Sequence, residues 1–121
     1  MKATELEKTD NFIQSCLRRS ISRTTIEKMR SIFGKETFNL EEGLESGELS
    51  IEDTDKKVAV EWNFKSKISD KYVAIWDYKN FLYCDEPIDI HKEIPFSVYF
   101  EDTRDEIYLV KLLAENNLEL L

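Results

Sequence analysis

Residues 57–64 read KVAVEWNF, in which Val58, Val60, Trp62 and Phe64 alternate with Ala59, Glu61 and Asn63. A strand turns successive side chains to opposite faces, so this alternation predicts one face on a core and the other toward water. Such a segment needs neighbours, because its amides and carbonyls must find partners. One neighbour lies close by. KYVAIWDYK, over 71–79, is almost continuously apolar from Tyr72 to Trp76, as expected of a strand covered on both faces. The polar KSKISD between them predicts a short connection and an antiparallel hairpin. After Pro95, Phe96, Val98 and Phe100 alternate with Ser97 and Tyr99, which predicts a strand over 96–101. Leu49 and Ile51 flank Ser50 and predict a shorter strand near 48–52, linked to Val58 by the turn-forming Glu52-Asp53-Thr54-Asp55.

The flanking segments change period. Behind the N-cap candidates Thr9 and Asp10, the residues Phe12, Ile13, Cys16 and Leu17 recur at helical spacing. The polar LRRSISR then predicts a break. Thr24-Thr25 is a second start signal, followed by Ile26, Met29 and Phe33, with Gly34 where a terminating glycine belongs. After the last strand, Glu101-Asp102-Thr103 predicts a helix cap, and Asp105 and Glu106 fall in a first turn where acids favour the helix dipole. Ile107, Val110, Leu113 and Ala114 are its expected apolar stripe. The reading is α+β: N-terminal helices, a mainly antiparallel sheet of three or four strands, and a C-terminal helix packed on one face. At 121 residues, with no repeat or linker, residues 1–121 form a single domain.

Charge is distributed unevenly. The net charge is -8, which repels polyanions at long range and argues against direct nucleic-acid binding and against anionic membranes. Residues 18–35 carry Arg18, Arg19, Arg23, Lys28, Arg30 and Lys35 against Glu27 alone. Residues 36–56 then carry eight acids and only Lys56. The two blocks either neutralise each other or leave a basic and an acidic face. Exposed pairs add little stability, roughly 0–1 kcal/mol each.

Chemistry-bearing motifs are sparse. The acids of NLEEGLESGELSIEDTD, over 39–55, are spaced too irregularly for a calcium loop, and Gly43 and Gly47 miss the required offset. Cys16, Cys84 and His91 are too few for a four-ligand zinc site of Cys and His. No G-x-S-x-G and no phosphate-cradling glycine loop occurs. His91 has no nearby triad partner in sequence, Asp77 between Trp76 and Tyr78 reads as an outward residue, and Trp62 and Trp76 read as core. No catalytic residue, metal or cofactor is expected. The polar N-terminus and the lack of a long apolar run predict a cytoplasmic chain with reduced thiols. Whether Cys16 and Cys84 are joined is left open by sequence.

The expectation is therefore a non-enzymatic intracellular binding protein that covers a basic partner, such as a toxin or nuclease. Immunity proteins, antitoxins and phage-borne inhibitors share this size and charge. Its expected contact residues are Glu41, Glu42, Glu45, Glu48, Glu52, Asp53, Asp55, Asp77 and Tyr78. The alternative is a homodimeric accessory or scaffold domain with no inhibitory role.

Overall fold

A computed structural model describes residues 2–10 and 18–121. Among these residues the chain forms six strands and three α-helices: β1 (Leu6–Lys8), β2 (Ser20–Thr24), α1 (Ile26–Phe33), β3 (Phe38–Asn39), α2 (Leu40–Ser46), β4 (Val60–Ser66), β5 (Tyr72–Asp77), β6 (Ile94–Phe100) and α3 (Thr103–Glu115). All strand pairs are antiparallel, in the order β1-β4-β5-β6-β2, and β3 lies along the same edge of β4 as β1. The α+β class and the C-terminal helix agree with the sequence reading, while the sheet is larger than the three or four strands expected.

The hairpin register places Trp62 opposite Ile75 and Phe64 opposite Val73, and these face Val98 and Phe100 of β6. Directly opposed residues share a face, so this face is apolar. It carries the core together with Met29 and Phe33 of α1 and Leu109, Leu112 and Leu113 of α3. Trp62 meets Phe96 edge-on at 5.9 Å, and its indole N–H donates to the Gly34 carbonyl at 2.8 Å. The predicted helix from Thr25 is present: the Thr25 hydroxyl caps Lys28 N–H, and Gly34, at φ 82°, ends it in a conformation that suits glycine.

Three expectations change. The polar SISRT segment, read as a break between helices, is β2. Ser22 and Thr24 point inward and Arg23 outward, and the far side of Ile21 exchanges two backbone hydrogen bonds with Leu121. The strand near 48–52 is absent, because Leu49 folds back on α2 and Ile51–Asp53 forms a 3-10 turn with Ile51 exposed. In α3 the buried stripe is Asp105, Leu109, Leu112 and Leu113, whereas Ile107 and Val110 are exposed. Ser66 and Ser69 both donate to the Asp105 carboxylate, and these bonds fix the helix rotation. The helix expected from Phe12 to Leu17 falls outside the described residues, so an N-terminal pair of helices is not shown.

The other face of the sheet also departs from the alternation rule. Glu61 and Asn63, expected in water, are 5% and 1% exposed, beside Ala74 and Trp76. No helix among the described residues is long and apolar enough to cross a membrane.

Candidate protein-docking surface

The acidic stretch is held by β3 and α2. Asn39 ends β3 and caps α2, accepting from Glu42 N–H at 3.1 Å, while Leu40 N–H donates to the Ala59 carbonyl at 2.8 Å. Leu40 is buried, anchoring the start of the helix. At its other end Gly47 adopts φ 81° and turns the chain. Leu49 N–H then donates to the Gly43 carbonyl, and the Leu49 side chain lies where a Cβ on residue 43 would be, 2.5 Å from Cδ1. A larger residue here would have to displace the Leu49 side chain.

This scaffold sorts the acids into three groups. Glu36 is buried and takes a bidentate clamp from Arg30, 2.8 Å to Nε and 2.6 Å to Nη2. Burial pushes its carboxyl upward, but the Arg30 guanidinium, a backbone N–H and the Asn39 amide together hold it below the usual range. Glu42 pairs with Lys35, and Asp55 lies 3.7 Å from Lys57. Glu41 is tied by another route, accepting from Ile88 N–H at 2.7 Å. The third group is Glu45, Glu48, Glu52 and Asp53. All four are exposed, and none pairs with a cation among the described residues. The upstream cations therefore neutralise part of the acidic block and leave these four exposed acids without a counter-ion among the described residues.

Two clefts adjoin this surface. One of about 350 Å³ is lined by Phe38, Glu42, Ser46, Glu48 and Leu49. The other, of about 670 Å³, lies between Arg18, Asp55, Lys57, Trp76 and Tyr78. Lys79 N–H donates to the Lys57 carbonyl at 2.7 Å, which holds the two connections together and brings Asp55 and Tyr78 to one opening. Tyr78 is half exposed, and the Lys79 ammonium sits 5.2 Å from its ring and 5.6 Å from that of Tyr83. This arrangement is legible only in three dimensions.

Asp77 departs from the expected set. It lies on the core face, opposite Phe96, and is fully buried. Its Oδ1 accepts from Ala59 N–H at 2.8 Å and Val60 N–H at 2.9 Å. The carboxylate thus receives β4 where the β5 ladder stops, a structural role that removes it from any surface contact. Burial pushes its carboxyl upward against those amide bonds.

His91 Nδ1 is 3.5 Å from Glu27, and both side chains are exposed. No group of three or more His, Cys, Asp or Glu could hold a metal ion among the described residues, and Cys84 is an exposed free thiol. No family model, curated protein or solved structure matches the chain.

Proposed function

We propose that this chain is a non-enzymatic intracellular protein that binds a basic protein partner through its acidic face, in the manner of an immunity protein, an antitoxin or a phage-type inhibitor. The observation that carries the reading is the run of Glu45, Glu48, Glu52 and Asp53, exposed and without cation partners among the described residues. Carboxylates left in water keep their field, which steers an oppositely charged protein and raises its encounter rate. Exposed apolar and aromatic groups, Ile51 next to Glu52 in the chain and Tyr78 in the cleft with Asp55, then supply desolvated contact. Glu41, Glu42 and Asp55 contribute charge but have structural partners, so their loss mixes two effects.

The test is capture from the native host with the immobilised chain, followed by mass spectrometry. The wild type should retain a discrete basic protein that the quadruple charge-reversal variant Glu45→Lys/Glu48→Lys/Glu52→Lys/Asp53→Lys does not. Equal retention by both removes the reading.

A second reading, a homodimeric accessory or scaffold domain, is favoured by a different observation. Ile107, Val110 and Ala114 form an exposed apolar stripe at i, i+3 and i+7 on α3, the spacing by which helices pair. Sedimentation at low and high salt separates the two, since a dimer held by this stripe persists in salt and is lost in Val110→Lys.

A further inference from the structure

We infer that Glu61 is a proton-operated latch that seats β3, and with it the acidic helix α2, on the edge of the sheet. The segment leading into α2 touches β4 through few bonds. Phe38 pairs with Glu61 and Asn39 with Val60, the Thr37 hydroxyl accepts from Asn63 N–H at 3.0 Å, and Leu40 N–H reaches the Ala59 carbonyl. β4 is held far more firmly on its other side, where five residues pair with β5. The weak partner is therefore β3, and Glu61 is one of the two β4 residues that pair with it.

The surroundings of the Glu61 carboxyl suit a neutral acid. It is buried, faces Trp76 across the strand pair, and accepts from Asn63 Nδ2 at 3.2 Å. Asn63 Oδ1 has no donor among the described residues, so a protonated Glu61 brings an O–H to an amide that lacks one. No cation among the described residues pairs with it. On its own strand Lys65 is engaged by Asp70 at 3.3 Å, and on the paired segment Glu36 is engaged by Arg30. From β5 Asp77 adds a like charge. Burial first, and Asp77 in addition, push the Glu61 carboxyl up to about 7 against the Asn63 bond. Losing the proton creates a buried charge without a counter-ion, and parting β3 from β4 is the least disruptive way to hydrate it.

The latch predicts behaviour of the free chain and stands apart from the partner reading. The test is an NMR titration of the Glu61 side-chain carbonyl, with amide exchange read at about pH 6 and about pH 8.5 and corrected for intrinsic rates. Glu61 should titrate near 7. Protection of Leu40 N–H should fall at the higher pH by about tenfold or more beyond the loss at Ile75 and Val98, which follows global stability. In Glu61→Gln the Leu40 protection should not change with pH. A Glu61 midpoint in the ordinary carboxylate range overturns the latch, as does wild-type Leu40 protection that is constant or falls only in step with Ile75 and Val98. The wild-type data decide the matter even if the variant does not fold.

Discussion

Asp77 holds two buried amides at the start of β4. Asp77→Ala leaves both without a partner and should destabilise the fold by about 3 kcal/mol in urea unfolding, whereas Asp77→Asn, which still offers a carbonyl oxygen, should lose about half as much. Glu61 makes an opposite contribution. Its folded carboxyl titrates near 7 and so lies above its unfolded value of 4.5. Between those values the folded state binds the extra proton, so stability falls as pH rises through the folded value and is unaffected well below 4.5. Glu36 has the reverse sign: its lowered carboxyl contributes stability above the unfolded value that is lost on acidification. The chain should therefore be most stable near pH 5, by roughly 2–3 kcal/mol over pH 8 from Glu61. Glu61→Gln should flatten the alkaline slope while leaving the acid limb in place, as urea unfolding across pH will show.

At the scale of elements, the legible parts of the sequence were those in which one face met the core. The 60–66 and 72–77 strands, the 94–100 strand and the helix from Thr25 all carry such patterns, and all form. The 48–52 segment misled because Leu49 and Ile51 have strand spacing but different destinations. Leu49 covers Gly43 of α2 and Ile51 stays in water. Gly43→Ala tests that packing. Helix propensity favours alanine by up to ~1 kcal/mol, but the new methyl meets Leu49, so the substitution should be net destabilising. Adding Leu49→Ala should reverse its sign, giving a coupling of about 1 kcal/mol in a double-mutant cycle. The sequence places α3 but not its rotation, because a buried Asp105 is unreadable without Ser66 and Ser69, far away in sequence. Asp105→Ala should cost about 2–3 kcal/mol by leaving both hydroxyls without their acceptor. The edge strands β1 and β3 are too short to show a period, and the polarity of β2 reflects its place at the sheet margin. Of the expected site, the charge was legible, but which acids stay free was not, since that depends on Arg30 and Lys35 folding back on Glu36 and Glu42.

For the whole molecule the decisive quantity is how much negative field survives folding. Local pairing removes part of the contrast between the basic and acidic blocks, yet the chain keeps its net charge of -8, and Glu45, Glu48, Glu52 and Asp53 stay exposed without cation partners among the described residues. A field of this kind acts over about a Debye length, roughly 8 Å at physiological salt, so its influence must weaken as salt rises. The most direct measurement is the affinity for the captured basic partner as a function of salt, for the wild type and for Glu45→Gln/Glu48→Gln/Glu52→Gln/Asp53→Asn. The account predicts binding that weakens steeply with salt, and a neutralised variant at least about tenfold weaker at low salt with a flatter salt dependence. Equal affinities and equal salt slopes for the two chains would contradict it.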